Sequence, residues 1–333
     1  MIALIFLLLV VSVYGQLTAD DWYKKGVDLS TRGQYNASIN ALDQAIKLDQ
    51  NNFDAWYYKG LLLASLFELD EAGKAFDEAI RIDPNSSQAV IGKGVALNQQ
   101  GKYNESLDAY DAAIRIDPNS VAAWTLKGDV LNNLKRYYDA IGAYNEAIRL
   151  DPTFVQAWRN KAGSFIEQGK YDDALKAYDE AIKLDPKSTL AWTNKGSILA
   201  EQGKLDDAVQ AYDESIRLDP MVAESWYNKG SVLDKQGKYN ESIEVYDEAI
   251  KLSPRFVNAW IGKGMALNNQ GKHDEALNVL NEAIRLDPKY ADAQYGKAQS
   301  LKMRHRNSEA EAAYTKAREL GYNGPMTPME MTA

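Results

Sequence analysis

One stretch, Ala223–Phe256, decides the fold; it reads AESWYNKGSVLDKQGKYNESIEVYDEAIKLSPRF. Tryptophan recurs at multiples of this length on both sides of Trp226, from Trp22 to Trp260, and all seven tryptophans lie on this series. A fixed period of about 34 residues indicates a solenoid, in which each repeat packs on its neighbours. The series predicts nine repeats without an insertion: 19–52, 53–86, 87–120, 121–154, 155–188, 189–222, 223–256, 257–290 and 291–324.

Each repeat contains two segments with apolar residues at helical spacing. Positions are counted from Ala19, which is position 1 of the first repeat. Position 15 is glycine in six repeats and position 32 is proline in seven, which predicts the ends of the first and second helix. Position 18, usually Asn or Asp, is expected to cap the second helix. Position 8 is always Gly or Ala, and position 24 is Tyr or Phe in seven repeats. We therefore predict an all-α fold of antiparallel helix pairs, with rings against small residues and the tryptophans buried between helices.

The charge and the cysteine content argue against several classes of protein. The net charge is -9 and the isoelectric point is about 5.0. This disfavours binding to nucleic acid or to anionic lipid, because both need clustered Lys and Arg. The chain has no cysteine, so disulfides, thiolate nucleophiles and zinc–thiolate sites are impossible.

The two ends of the chain differ from the repeats. Residues 2–13 form an apolar run without a charge, followed by Tyr14-Gly15-Gln16. This pattern resembles a secretory signal, although no Lys or Arg precedes the run. We expect residues 1–15 to be a signal peptide cleaved near Gly15, which would make the mature protein extracytoplasmic and leave it without a membrane span. The alternative is a membrane anchor formed by residues 2–13. Residues 325–333 form a short tail.

No constellation of residues indicates catalysis. His273 and His305 occupy turn positions in neighbouring repeats and lack the spacing of a metal site. The sequence contains no phosphate-binding loop, nucleophile elbow or EF-hand loop. Paired carboxylates are common, but they stand at helix starts, where the helix dipole favours them. We therefore expect no enzyme, no cofactor and no bound metal.

Together these motifs resemble the tetratricopeptide repeat: Trp, Gly, Tyr, Ala and Pro stand at that family's spacing over residues 19–324. With the apolar leader, the chain is similar to exported prokaryotic and archaeal arrays of this repeat. Departures are Val90 and Gln294 in place of Trp, and Gln50 in place of Pro. The resemblance implies a right-handed superhelical α-solenoid in which the first helices line a concave groove. It also implies that the groove holds protein or peptide partners.

The groove is expected to be lined by positions 2, 5, 6, 9, 12 and 13 of each first helix. These positions carry mainly amides and phenols, which suit a peptide backbone better than a charged tail. The candidate partner-binding residues are Tyr23, Tyr57, Tyr58, Asn98, Asn132, Arg159, Asn160, Asn194, Tyr227, Asn228, Asn268 and Tyr295. Any one of them could equally be a solvated surface residue.

Lysine occupies position 7 of all nine repeats, from Lys25 to Lys297. One interpretation is a stem packed between repeats, with the ammonium reaching a carboxylate of the preceding repeat. The other is a basic ladder for an anionic ligand. The first is favoured because this position must face the preceding repeat.

The sequence thus predicts a non-enzymatic scaffold that binds a protein or peptide segment of unknown identity. The alternative is a structural component of a cell-surface or multiprotein assembly, without a defined ligand. We expect a monomer, because charged residues occupy both terminal faces where internal repeats are apolar or small. These residues are Asp21 and Asp28 at the start, and Glu311 and Arg318 at the end.

We predict that the mature chain begins at or near Gln16. Signal peptidase cuts after a small residue that follows an apolar run, which here points to Gly15. Mass spectrometry of the protein from its native source measures the N-terminal residue directly. An intact Met1 on a chain recovered from the cytoplasm would contradict export.

Overall fold

The structure is a computed structural model that describes residues 17–324, all of whose regular elements are helices. The expected signal peptide and the tail from residue 325 lie outside these residues. The chain divides into two compact units, 1–169 and 170–333, called here the N-terminal and C-terminal halves. The N-terminal half contains α1 Ala19–Thr31, α2 Tyr35–Leu48, α3 Phe53–Ser65, α4 Leu69–Ile82, α5 Ser87–Gln99, α6 Tyr103–Ile116, α7 Val121–Asn133, α8 Tyr137–Leu150 and α9 Val155–Glu167. The C-terminal half contains α10 Tyr171–Leu184, α11 Thr189–Glu201, α12 Leu205–Leu218, α13 Ala223–Lys235, α14 Tyr239–Leu252, α15 Val257–Asn269, α16 His273–Leu286, α17 Ala291–Met303 and α18 Asn307–Glu319.

The turns between the helices of a pair follow the sequence signals. Glycines at position 15 have positive φ, as in Gly101 at 76° and Gly237 at 74°. Phe67, Lys135 and His305 take the same place without glycine, with φ of 62°, 59° and 59°. A side chain at such φ is strained, so these three turns are held by the helices around them. The expected left-handed end of the first helix is confirmed.

Position 18 does not cap the second helix as expected. The residue before each second helix, at position 16, is the N-cap, and it makes no side-chain capping bond, as at Lys102 and Lys204. The side chain at position 18 instead accepts a hydrogen bond from glutamine at position 14 of the next repeat. These bonds are Gln100 to Asp70 at 3.1 Å, Gln202 to Asp172 at 2.9 Å, Gln236 to Asp206 at 2.9 Å and Gln270 to Asn240 at 2.6 Å. The polar pair therefore joins neighbouring repeats.

The core of each half is built from rings that lie on glycines. Tyr144 and Tyr246 are almost fully buried on the second helices of their repeats. A Cβ on Gly128 would lie 2.5 Å from Cε1 of Tyr144, and one on Gly230 would lie 2.6 Å from Cε1 of Tyr246. No side chain fits at such distances, so glycine at position 8 sets how closely the two helices approach. The predicted packing of large against small residues is confirmed.

The tryptophans are only partly buried, which corrects the expectation that they form the core. Trp192 packs beside Leu199 and Tyr212, but its Nε1 donates to the Pro186 carbonyl at 3.3 Å. Trp226 makes the same bond to Pro220 at 2.9 Å. An indole N–H needs an acceptor, so the ring stays at the edge of the core, where the loop carbonyl is available. The tryptophan fastens the start of the first helix to the preceding loop.

The lysines at position 7 form ion pairs with the preceding repeat, as the favoured interpretation predicted. In six described cases Nζ lies 2.6 Å from an aspartate at position 25. The pairs are Lys59–Asp43, Lys93–Asp77, Lys127–Asp111, Lys195–Asp179, Lys229–Asp213 and Lys263–Asp247. In five of these pairs, the lysine side chain is only 20–24% exposed, which fits a stem packed between repeats.

Both terminal faces carry exposed charges. Asp21 completes a capping box with Thr18, and Asp28 pairs with Arg32 at 2.8 Å. Glu311 and Arg318 are exposed on α18. These positions are the ones where internal repeats carry apolar or small residues. A polar outer face keeps a terminal repeat soluble, and the monomeric state stays a prediction.

Two glycines of the fourth repeat give a matched test of the ring contact. We predict that Gly128→Ala destabilises the chain by about 1–3 kcal/mol, because its Cβ meets the Tyr144 ring. Gly142→Ala, with nothing within 4 Å of its Cβ, should instead stabilise by about 0.5–1 kcal/mol. Hydrogen exchange of α7 and α8 amides, read beside urea denaturation, measures both effects. Equal effects of the two substitutions would show that the contact does not set the packing.

Candidate partner-binding surface

Consecutive first helices contact one another within each half. Direct contacts join α1 to α3, α3 to α5, α5 to α7 and α7 to α9, and then α11 to α13, α13 to α15 and α15 to α17. Their side chains at positions 2, 5, 6, 9, 12 and 13 therefore form a surface in each half, called here the first-helix face. All twelve candidate residues belong to this face by position.

Aromatic side chains dominate the first-helix face at its N-terminal end. Tyr23 meets the edge of Tyr58, with ring centroids 6.2 Å apart. Tyr57 stacks on Phe53 at 5.7 Å and tilts against Phe76 at 6.1 Å. Burial raises the pKa of both Tyr23 and Tyr57, and all three tyrosines are partly accessible. These rings offer flat, uncharged contact area to a ligand.

Amides follow along the N-terminal half. Asn132 accepts a hydrogen bond from Ser164 Oγ of the next repeat at 2.8 Å. Asn98 occupies the same position one repeat earlier, but the residue equivalent to Ser164 there is Val130, which cannot donate. Asn98 Oδ1 is therefore buried without a hydrogen-bond partner. Arg159 is half-buried beside Asn160. Of these candidates, Asn98 is the one whose amide acceptor the fold leaves unused.

A partly buried carboxylate lies between these amides, and the sequence interpretation missed it. Asp129 Oδ1 accepts hydrogen bonds from Tyr144 Oη at 2.7 Å and from Asn160 Nδ2 at 2.6 Å. Burial raises the pKa of the Asp129 carboxyl, although the two hydrogen bonds act in the opposite direction. Burial and Asp129 together raise the pKa of Tyr144. The sequence does distinguish Asp129, because it is the single charged residue at position 9 in nine repeats.

The C-terminal half presents a comparable set of polar groups. Asn194 Nδ2 donates to Tyr178 Oη at 3.0 Å, and Asn228 is half-buried in the next repeat. Tyr227 lies between Tyr246 at 5.9 Å and Phe256 at 5.1 Å. Asp234, also missed from the sequence, accepts from Tyr246 Oη at 2.9 Å, and burial raises its pKa. In each half, therefore, a partly buried aspartate accepts a hydrogen bond from a tyrosine hydroxyl.

Two candidates are taken up by the fold itself. Tyr295 is only 6% exposed: it stacks on Tyr322 at 4.1 Å and tilts against Tyr314 at 5.8 Å. It was expected on the surface, but the chain after α18 returns and covers it. Asn268 donates to the Gly296 carbonyl at 3.0 Å and accepts from Ser300 at 2.6 Å. Its amide thus joins the eighth and ninth repeats and has little left to offer a ligand.

Two open clefts lie away from the first-helix face, at equivalent places in the repeat. One, of about 580 Å³, is floored by Trp192 and Leu199 beside the Lys195–Asp179 pair. The other, of about 510 Å³, is floored by Trp124 and Leu131. Their walls are mostly charged side chains, several of them already in ion pairs. Because they recur with the repeat, the clefts follow from its packing.

The histidines lie in separate surroundings. His305 occupies the left-handed turn residue before α18, and His273 begins α16 with Nδ1 3.2 Å from Asn268 Oδ1. Within residues 17–324, no three His, Asp or Glu side chains are placed to hold a metal ion. In the same range, no helix combines the length and the apolar character needed to cross a bilayer.

Helix pairs that recur at the constant interval of the tryptophans, with ring-on-glycine packing inside each pair, define a helical-repeat protein. The family profile described as the C-terminal domain of Cilia and flagella-associated protein 70 matches residues 96–329, well over half of the chain. A Tetratricopeptide repeat profile matches residues 23–87. The chain belongs to the tetratricopeptide repeat family. Proteins of this kind generally bind protein partners and are generally not enzymes, and the chain is accordingly a protein-interaction scaffold.

Several solved structures resemble the chain, and the first of them described here supports the fold. A tetratricopeptide repeat protein from Parabacteroides merdae is 19% identical and aligns over 72% of this chain and 94% of its own, with a TM-score of 0.56. The MamA protein is 25% identical over 52% of this chain and 95% of its own, with a TM-score of 0.49. YrrB, described as a TPR protein with an unusual peptide-binding site, is 23% identical over 56% and 96%, with a TM-score of 0.48. No curated protein matches the sequence at a significant level.

We predict that Asp129→Asn raises the free energy of unfolding at pH 7. The folded state raises the pKa of Asp129. Its contribution to stability is therefore largest below the unfolded pKa of about 3.9, and is lost as the pH rises through the folded pKa. Asparagine keeps an acceptor for Tyr144 and Asn160 without the charge. Denaturation curves from pH 7 down to about pH 3 should show the advantage of the variant shrinking towards zero.

The matched control is Asp108→Asn on the exposed side of α6. It should change the free energy of unfolding little at any pH, because the Asp108 carboxylate is hydrated in the folded state as well as in the unfolded one. An Asp129→Asn difference that is the same across the pH range would contradict the assignment of a buried, costly charge.

Proposed function

We propose that the first-helix face binds a segment of a protein partner through hydrogen bonds to its backbone and side chains. The observation that carries this proposal is the pair of aspartates, Asp129 and Asp234, which stay partly buried on this face. Burial of a carboxylate costs stability unless it is compensated. Other repeats fill the position of Asp129 with Val, Leu, Gly, Ser, Met or Gln, so the fold itself has no need of a carboxylate there.

The neighbouring groups support the same proposal. Asn98 Oδ1 lacks a partner, and Asn228 is half-buried on the face. Amides both donate and accept, so a row of them matches the alternating N–H and C=O groups of an extended peptide. The tyrosines beside them add flat contact area at small entropic cost, because a tyrosine has two rotatable angles.

We further propose that the chain catalyses no reaction. A catalyst needs a nucleophile, base or metal with a second group positioned to activate it. The tyrosine–aspartate pairs at Tyr144 and Tyr246 are the closest approach to such an arrangement. Their hydroxyls donate to the carboxylates and are themselves buried, so neither phenol presents its oxygen to a substrate.

The second candidate is a structural component without a defined ligand. The ion-pair ladder and the polar links at positions 14 and 18 favour it, because they reinforce the array at every junction where they occur. Export stays part of the proposal for both candidates and rests on the apolar run at residues 2–13.

The test uses two double variants in the C-terminal half, one in the sixth and seventh repeats and one in the fifth and sixth. Asn194→Ala with Asn228→Ala removes two amides from the first-helix face. Glu180→Ala with Glu214→Ala removes two carboxylates from second helices. Partners are captured by photo-crosslinking in extracytoplasmic fractions of the source cells and identified by mass spectrometry.

We predict that the asparagine pair weakens capture by at least about tenfold, equal to about 1.4 kcal/mol, while the array stays folded. Its thermal midpoint should fall only slightly, because the one bond within the fold that is lost joins Asn194 to Tyr178. The glutamate pair should leave capture unchanged. Loss of capture with the glutamate pair alone would place binding elsewhere. A chain that captures no stoichiometric partner would instead favour the structural component.

A further inference from the structure

Tyrosine occupies position 5 of four first helices, and three of these rings pack against an aromatic residue at position 1, 32 or 34 of the same repeat. Phe53, at position 1, stacks on Tyr57 with an interplanar angle of 9°. Phe256, at position 34, meets Tyr227 edge to face, with the ring centroids 5.1 Å apart and the planes at 60°. Tyr322, at position 32, stacks on Tyr295 at 4.1 Å. The fold thus finds a covering ring for position 5 from three different places.

Tyr322 is informative because it does not come from a helix of the array. It follows α18 in a non-helical segment that turns at Gly321, where φ is 92°. A short non-helical segment can therefore lay an aromatic side chain on a position 5 tyrosine of the first-helix face. The contact is a stack with the rings 15° from parallel, within the geometry that aromatic pairs prefer.

The first repeat has the tyrosine without the cover. Its positions 1, 32 and 34 are Ala19, Gln50 and Asn52, and none of them is aromatic. Tyr23 instead meets the edge of Tyr58 at 87°, so the two rings form a corner. Leu61, three residues after Tyr58 on α3 and 40% exposed, extends this corner.

A carboxylate stands beside the corner. Asp54 is exposed in the first turn of α3, four residues before Tyr58 and therefore one helical turn away on the same side of the helix. After burial, its charge is the largest influence that raises the pKa of Tyr23. Asp20, the other carboxylate near Tyr23, is bound to Lys24 at 2.5 Å. Asp54 is in none of the described ion pairs of the N-terminal half. Its charge is therefore available to a cation of a ligand.

We propose that the corner formed by Tyr23, Tyr58 and Leu61 receives an aromatic side chain of the partner segment, and that Asp54 receives an adjoining Lys or Arg. The occupant is a protein segment with an aromatic residue next to a basic one. Stacking and edge contacts with two tyrosines fix the ring, and the carboxylate selects the charge that follows it. This inference rests on the proposed function and specifies the chemistry of its ligand.

The test is selection from a peptide library by the full chain. The probe is a mixture of ten-residue peptides, acetylated and amidated, randomised over all amino acids except cysteine. Peptides retained by the immobilised protein are eluted and sequenced by mass spectrometry. We expect aromatic residues to be enriched about threefold to tenfold over the input, with Lys or Arg enriched beside them.

Three variants separate the parts of the site. Ala19→Phe places a ring four residues before Tyr23, as Phe53 stands before Tyr57, and should abolish aromatic enrichment by filling the corner. Asp54→Asn should remove the Lys and Arg preference and keep the aromatic one. Tyr35→Ala, which removes a more accessible tyrosine, 44% exposed on α2, should change neither. Thermal midpoints check that each variant is folded.

Retention without aromatic preference, no retention, or aromatic enrichment that survives Ala19→Phe overturns this inference. Its failure is distinct from that of the proposed function. If the asparagine pair still abolishes partner capture while the library shows no aromatic preference, the first-helix face binds its partner and the corner at Tyr23 does not select it. If capture is insensitive to the asparagine pair as well, the proposed function fails too.

Discussion

The helix pairs depend on one contact, in which a large side chain of the second helix packs against a glycine of the first. Tyr110, Tyr144, Tyr212 and Tyr246 each rest on a glycine in the first helix of the same repeat. A glycine inside a helix costs roughly 1 kcal/mol relative to alanine, and burial of a ring offsets this several times over. Because the glycine lets the backbones approach, it also brings the remaining small residues into contact. The position of the first-helix face follows from this approach.

Much of the fold could be predicted because it repeats. The left-handed turn residue, the ring against the glycine and the lysine reaching back to an aspartate are each dictated by a local requirement that recurs in repeat after repeat. The failures have a common cause: a repeated residue type does not reveal which of its atoms is satisfied. Tryptophan was assigned to the core by size, but its N–H holds it at the loop carbonyl. Aspartate at position 18 was assigned to capping, but a glutamine of the next repeat takes its side chain.

The candidate site was harder to predict, because function resides where repeats differ. The amides and phenols were found by position, yet Tyr295 is covered by Tyr322, which lies beyond the last helix. Asp129 and Asp234 were missed because attention to shared positions hides single exceptions. A residue that breaks the pattern of its column, and is charged and partly buried there, is the better guide to binding. The rings that pack on position 5 tyrosines lead to the same conclusion. Their absence in the first repeat is visible only when that repeat is compared with the second, seventh and ninth.

The lysine–aspartate ladder has a direction, and that direction matters while the chain is made. Each paired lysine of a first helix reaches back to an aspartate in the second helix of the repeat already completed. During synthesis the N-terminal part leaves the ribosome first. When each of these first helices leaves the ribosome, the aspartate that its lysine pairs with has already been synthesised. No repeat therefore needs residues still inside the ribosome to form this ion pair. Contacts of such short sequence separation also favour rapid folding. The array can lengthen one repeat at a time as translation proceeds.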